Sequence, residues 1–282
     1  MGRSARHRGS CGGEARGVIG LRNVYHLGLS ESELEGARFA LLPGDPDRVE
    51  DIARTPPFNG GRELARKREF RTWLAYLHGE PALVTSTGIG GPSTSIAVEE
   101  LAQLGVKTFI RVGTAGSIQP HIRVGDVVIT TGAVRMDGAS THYAPIEYPA
   151  VSHHEVVDAL LRAARALKVR HHAGITCSTD TFYPGQERRD SFTGYVPRRL
   201  RGITEEWRRL SVLNYEMEAA TLLTMCGALG LRGGCVTGIV DRAGGRITPR
   251  SLASGARNAA RVAVAALELL VKELPVNGAE RG

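Results

Sequence analysis

Thr108-Phe109-Ile110-Arg111-Val112-Gly113-Thr114-Ala115-Gly116 is a short apolar run that leads into a glycine-containing turn. Residues 108–112 are rich in β-branched and aromatic side chains, which suit a pleated and buried surface. The same pattern recurs at residues 39–42, 82–85, 126–130, 174–177 and 235–240. Helical stretches separate these runs, at 94–104, 155–167, 216–229 and 251–274. Gly230 follows the third stretch and is a natural helix stop. Strands alternating with helices predict an α/β fold, a central mixed β-sheet surrounded by helices. No internal repeat or linker interrupts the chain after residue 37, so a single domain is expected over residues 21–282. In such sheets ligands bind at the carboxyl ends of strands. The turns that follow the runs are therefore where function is sought.

The chain has 282 residues, 42% of them hydrophobic and 23% charged, which is enough to bury one sizeable core. Its formal net charge is +7. Arg3, Arg6, Arg8, Arg16 and Arg22, set against Glu14, supply four of those charges. Residues 1–20 show no hydrophobic period and read as a disordered basic tail. The rest is nearly neutral, and sequence-independent nucleic-acid binding needs many phosphate contacts on one face. No nucleic-acid partner is expected. Cys11, Cys177, Cys226 and Cys235 form no C-x-x-C pair and show no zinc spacing. No apolar run approaches the roughly 20 residues needed to span a bilayer, and the N-terminus lacks an apolar signal core. Cytoplasmic localisation without a membrane partner is expected.

Two turns suit an anion. In Leu42-Pro43-Gly44-Asp45-Pro46-Asp47-Arg48, Gly44 lets the backbone approach closely and Arg48 adds a planar donor fork. A plain strand-to-helix turn with a surface arginine accounts for the same residues. Arg111 stands inside an apolar run, where an unpaired charge is costly. It serves either an anion, helped by Thr114, or a structural carboxylate. The glycine-rich Thr85-Ser86-Thr87-Gly88-Ile89-Gly90-Gly91 lacks the lysine of a nucleotide-binding P-loop.

Two further segments suit a sugar and a base. Asn214-Tyr215-Glu216-Met217-Glu218 opens an apolar stretch. Its carboxylates either favour a helix dipole or accept hydrogen bonds from vicinal hydroxyls, with Met217 as a soft wall. Phe182-Tyr183-Pro184-Gly185-Gln186-Glu187-Arg188 offers an aromatic face, an amide and a guanidinium. Uracil presents alternating acceptor, donor and acceptor groups, which Gln186 and Arg188 can match. An ordinary polar surface loop is the competing reading.

Taken together, these segments resemble the nucleoside phosphorylase family, in its bacterial, uridine-cleaving branch. The likeness runs over about residues 24–274. It also includes Tyr25-His26-Leu27-Gly28-Leu29, Arg68-Glu69-Phe70, residues 86–103, Asp137-Gly138-Ala139-Ser140 and Thr179-Asp180-Thr181. The resemblance implies a glycosyl-transferring enzyme of pyrimidine salvage with uridine and inorganic phosphate as substrates, deoxyuridine and thymidine being further candidates. No cofactor is implied beyond phosphate as co-substrate. Gly44, Arg48, Arg111 and Thr114 would bind phosphate, with Arg68 arriving from a neighbouring subunit. His26, also from a neighbour, would meet the ribose 5′-hydroxyl, and Glu218, Met217 and Glu216 would hold the ribose. Phe182, Gln186 and Arg188 would bind the base, with Arg242 in indirect support. Arg48, Arg111, Arg188 and Glu218 would carry the catalysis. Glu69, Ile89 and Ser93 match positions for a structural monovalent cation, taken as potassium. The implied assembly is a homohexamer, a trimer of dimers with shared sites.

One segment departs from the family pattern. Gly238-Ile239-Val240-Asp241-Arg242 is one residue short and carries Asp241 where asparagine is usual. Related purine phosphorylases use an aspartate nearby, so a purine or broad-specificity phosphorylase is the alternative reading. Ala243-Gly244-Gly245 reads as a flap. A non-catalytic nucleoside-binding protein would lack one of Arg48, Arg111, Arg188 or Glu218, and all four are present.

Overall fold

The computed structural model describes residues 22–242 and 245–274. The tail expected at 1–20 and the flap residues Ala243 and Gly244 lie outside the described residues. The apolar run at 108–112 belongs to a longer strand than expected: β5 spans Thr108–Ser117. Gly113 and Gly116 continue the strand instead of ending it, because β5 pairs in parallel with β10 (Arg232–Arg242) along its whole length. The two glycines make room for charged groups above the strand. A Cβ at Gly113 would lie 3.0 Å from the Arg111 guanidinium, and one at Gly116 would lie 2.7 Å from the Asp241 carboxylate.

The sheet grows outward from β5 and is mixed, as expected. On one side lie β1 (Phe39–Leu42) and β4 (Glu80–Thr85), both parallel. Beyond them β3 (Phe70–Leu77) and β2 (Asn59–Lys67) add antiparallel strands. Charged residues such as Arg62, Glu63, Arg66 and Lys67 break the apolar pattern there, which hid this hairpin in the sequence. On the other side β10 pairs antiparallel with β6 (Val127–Met136), and β6 pairs in parallel with β8 (His171–Thr179). The short β7 (Ala150–Val151) also joins β6. Finally β9 (Asn214–Glu216) pairs with β8 and returns to Gly116 and Ser117 of β5. Strands β5, β10, β6, β8 and β9 therefore close into a ring, so half of the sheet is barrel-like.

Helices cover both faces. They are α1 (Arg48–Ala53), α2 (Gly91–Gln103), α3 (His154–Ala166), α4 (Ile203–Arg209), α5 (Ala219–Ala228) and α6 (Pro249–Glu273). Strand alternation sorts the core. Ile110 and Val112 face a cluster with Leu160 of α3 and Leu267 of α6, while Phe109 faces Leu101 of α2 and Leu222 of α5. The helix expected at 216–229 is shorter, because Glu216 belongs to β9 and α5 begins only at Ala219. Gly230 takes φ of 67° just past its end, in the left-handed region open to glycine.

Helix α6 begins at Thr248, whose hydroxyl accepts from the Ser251 amide, with Pro249 in the first turn. It packs on β10 through Gly238 and Gly255, and a Cβ at Gly238 would sit 1.9 Å from the Gly255 carbonyl oxygen. No side chain fits there without moving the helix. Gly238→Ala is expected to destabilise the fold by about 2 kcal/mol or more. A lower urea midpoint checks this, and an unchanged midpoint would contradict so close a contact.

Candidate functional site

A cavity of about 1170 Å³ opens at the carboxyl ends of β1, β5, β8, β9 and β10. Its wall brings together Gly44, Arg48, Arg111 and Thr114 with Met217 and Glu218, and with Phe182 and Gln186. Residues up to 174 positions apart in the chain thus meet because their strands end on one rim.

The anion corner is built on Arg48 and Arg111. Arg48 is the first residue of α1, after the turn that contains Gly44. Burial, and then the nearby charge of Arg111, lowers its pKa to about 10. Arg48 Nη2 and Arg111 Nη1 are both buried, and neither has a hydrogen-bond partner among the described residues. A Cβ at Gly44 would lie 3.0 Å from the Gly88 carbonyl oxygen and in ordinary contact with Arg111 Nη1, at 3.9 Å. Buried donors are nearly always satisfied. Two orphaned guanidinium nitrogens on one cavity wall mark a place for an oxyanion.

The rest of Arg111 is held by carboxylates. Its Nε donates to Glu216 Oε2 at 2.9 Å, and its Nη2 pairs with Glu218 Oε2. Burial opposes its charge, but Glu218 and Glu216 outweigh that and push its pKa up. Arg111 meets the structural carboxylates that one reading asked for, and it also lines the cavity. Glu216 is the structural partner, for its oxygens also accept from Ser178 Oγ and from the amides of Glu218 and Ala219. Glu218 accepts the Gly90 amide on Oε1 at 2.6 Å. Burial raises its pKa to about 7; Arg111 opposes the rise and Glu216 adds to it.

The far end of the cavity is a different environment. The Arg188 guanidinium stacks 4.3 Å from the Phe182 ring centroid. It donates to Asp190, to Asp241 and to the Gly245 carbonyl. Gln186 is buried beside it, its Nε2 3.4 Å from Thr179 Oγ1. Burial pushes the Asp241 pKa up, and Arg188 pulls it back. The sequence reading missed Asp190, although an acid two residues after an arginine in one loop is a readable signal.

Of the other expected residues, Glu69 and Ile89 line the cavity and the rest stand apart. Arg242, exposed at the end of β10, is not part of the cavity wall, whereas Asp241 is. Arg68, exposed between β2 and β3, and His26 also lie outside the wall of their own chain. His26 is held by Glu100, whose carboxylate contacts Nδ1 at 2.6 Å and accepts the amides of His26 and Leu27. No sequence signal linked these two residues. Glu69 and Ser93 converge on Gly88: a Cβ there would lie 2.8 Å from Glu69 Cγ and 3.3 Å from Ser93 Oγ. Ile89 beside them is 78% exposed. No cluster of three or more His, Cys, Asp or Glu is placed to hold a metal ion among the described residues.

Residues 38–274 match the family model described as the phosphorylase superfamily. Over 218 residues the chain is 58% identical to the uridine phosphorylase of Escherichia coli (strain K12), covering 77% of this chain and 85% of that one. The uridine phosphorylase of Thermococcus kodakarensis is 47% identical over 248 residues, covering 88% and 87%. The guanosine phosphorylase of Halorubrum lacusprofundi is 36% identical over 211 residues, covering 75% and 80%.

Glu218 ties this site to stability. Its folded pKa of about 7 exceeds the ordinary 4.5. The stability it contributes is complete below about pH 4.5 and is lost as pH rises through about 7. Glu218→Gln is expected to flatten that fall in urea unfolding curves measured from pH 4.5 to 8. A slope unchanged by the substitution would remove Glu218 as its source.

Proposed function

The chain belongs to the phosphorylase superfamily, and we propose that it catalyses the reversible phosphorolysis of uridine, giving uracil and ribose 1-phosphate. The observation that carries this reading is the pair of buried, unpartnered guanidinium nitrogens of Arg48 and Arg111. They provide for an oxyanion co-substrate in the same cavity as a carboxylate at Glu218 and an aromatic and an amide group at Phe182 and Gln186, with the Arg188 guanidinium adjoining that wall against Phe182. The 58% identity to a uridine phosphorylase supports uridine over the guanosine of the more distant relative. A pyrimidine also suits Gln186, whose amide both donates and accepts.

The chemistry follows from the placement of charge. Phosphate binds between Arg48 and Arg111, backed by Gly44 and Thr114. The ribose hydroxyls donate to Glu218 while Met217 packs on the sugar. As the glycosidic bond stretches, the sugar gains positive charge and the base gains negative charge. Arg188 and Gln186 stabilise the departing base, and fixed donors are most effective where charge develops. Phosphate stabilises the cationic sugar and then bonds to C1′ as the base leaves. Alignment of the two reactants supplies much of the rate. No covalent nucleophile is required.

Arg68 and His26 lie off the cavity wall of their own chain, so we assign them to a neighbour's phosphate and ribose 5′-hydroxyl in a homohexamer. The Glu69 carboxylate, the Ile89 carbonyl and Ser93 Oγ fit a monovalent cation such as potassium. Such an ion would supply fixed positive charge between subunits. The three described cysteines, Cys177, Cys226 and Cys235, are buried and free, which agrees with a reducing, cytoplasmic address. Among the described residues no helix is long and apolar enough to cross a membrane.

Release of free base from uridine, thymidine and inosine, with and without phosphate, tests the reaction. Uridine cleavage that requires phosphate is expected, and Arg48→Ala should raise the phosphate KM roughly 10- to 100-fold. Strong inosine cleavage with inert uridine would falsify the pyrimidine reading. Shared sites have their own test. Arg68→Ala and Arg188→Ala are each expected to abolish activity, and co-expression of the two variants should restore part of it. Mixed oligomers that stay inactive would overturn the assignment of Arg68 to a neighbour's site.

A further inference from the structure

A buried ion pair adjoins the proposed base end of the cavity, with Asp241 on the wall and Arg188 beside it against Phe182, and the reaction as written above gives Asp241 no part. Arg188 Nη1 donates to Asp241 Oδ2 at 3.1 Å, and both side chains are almost fully buried. A guanidinium has five N–H groups. In Arg188, Nε donates to Asp190 Oδ1 at 3.2 Å, and Nη2 donates to Asp190 Oδ2 at 3.3 Å and to the Gly245 carbonyl at 2.8 Å. With Asp241 on Nη1, four of the five are taken. The one left over is also on Nη1, so its direction is set by the bond to Asp241. Asp190 is 57% exposed, and its long contacts are screened by solvent. Asp241 is the buried carboxylate in this set of contacts.

The backbone is arranged to bring Asp241 there. Along the parallel β5–β10 pair, Ile239 lies opposite Ala115 and Asp241 lies opposite Gly116, so Val240 is an extra residue. Such a bulge re-aims the side chain that follows it. Gly116 leaves the needed space, since a Cβ at that position would be 2.7 Å from Asp241 Oδ1.

We propose that Asp241 is a positioning residue, which aims the single free N–H of Arg188 at a carbonyl oxygen of the base. The inference rests on the uridine reading above. Asp241 also offsets the charge of Arg188, so this guanidinium suits a neutral base edge, whereas the unpartnered nitrogens of Arg48 and Arg111 suit phosphate. The two ends of one cavity are thereby kept distinct.

Steady-state kinetics of the full-length protein tests the idea. Asp241→Ala is expected to raise the uridine KM about tenfold, the order expected for a lost hydrogen bond to a charged group, while the phosphate KM stays unchanged. Asp241→Asn keeps an acceptor oxygen and should bring the uridine KM back to within about twofold of wild type. Gly116→Ala displaces the carboxylate without removing it, and it should shift the uridine KM in the same direction as Asp241→Ala. The inference is overturned if a folded Asp241→Ala leaves the uridine KM unchanged, if both KM values rise together, or if the asparagine variant folds but gives no rescue. Should Asp241→Ala fail to fold, an unaltered uridine KM in Gly116→Ala overturns it equally. A wild-type protein inert toward uridine would instead overturn the uridine reading, and this inference with it.

Discussion

Burying Arg111 in the middle of β5 obliges the surrounding chain to supply countercharge, and much of the architecture answers that need. A buried guanidinium left without partners costs several kcal/mol, roughly 3–5 when one member of a buried pair is lost. Glu216 meets this demand from the end of β9, which draws that strand onto β5 and β8 and closes the ring of strands. The same carboxylate accepts the amides of Glu218 and Ala219, so it also fixes where α5 begins. Gly113 exists in this setting because the Arg111 side chain folds back over it. One ion pair thereby links strand order, helix start and cavity wall.

That pairing is unbalanced, and the imbalance is useful. One guanidinium faces two carboxylates, so Glu218 is pushed toward protonation by burial and by Glu216. Arg48 stands nearby with a nitrogen that has no partner among the described residues. The corner as a whole has separated charges that an incoming oxyanion and sugar hydroxyls can complete. At the base end the opposite holds, because Arg188 is almost saturated by Asp190, Asp241 and Gly245. Under the proposed assignment of phosphate and base, selectivity between the two reactants would follow from how many arginine donors the protein leaves open, more than from the number of arginines.

The sequence disclosed the parts whose signal is local. Apolar runs at 39–42, 82–85 and 108–112 located central strands, and the oddness of Arg111 within one of them pointed to the cavity. The mixed sheet and the four expected helices followed from period and from helix stops, the third beginning at Ala219 instead of Glu216. Parts that depend on distant partners were hidden. The hairpin of β2 and β3 carries too many charges to read as buried, though Arg71 is buried there against Glu63 and Glu50. Residues 113–117 read as a turn because glycine signals one, yet the full-length pairing with β10 keeps them extended. Glu216 read as helical because the apolar stretch follows at once, but its side chain serves Arg111, and its backbone serves the sheet. The role of Glu100 in holding His26 spans 74 positions and has no local signature.

The contrast between Arg111 and Arg188 also shows why a motif alone gives a residue's type before its role. Both arginines are buried, both line or adjoin one cavity, and both contact two carboxylates. They differ in the nitrogen that is left over. Arg111 leaves a whole Nη1 without a partner, beside a glycine that allows close approach. Arg188 has only one N–H remaining, beside an aromatic face. A tetrahedral oxyanion needs several donors converging from different directions, whereas a planar base needs one donor in its plane and a surface to lie on. The geometry around each guanidinium, set by β9 on one side and by the bulge at Val240 on the other, is what suits the same side chain to the two different tasks proposed for it.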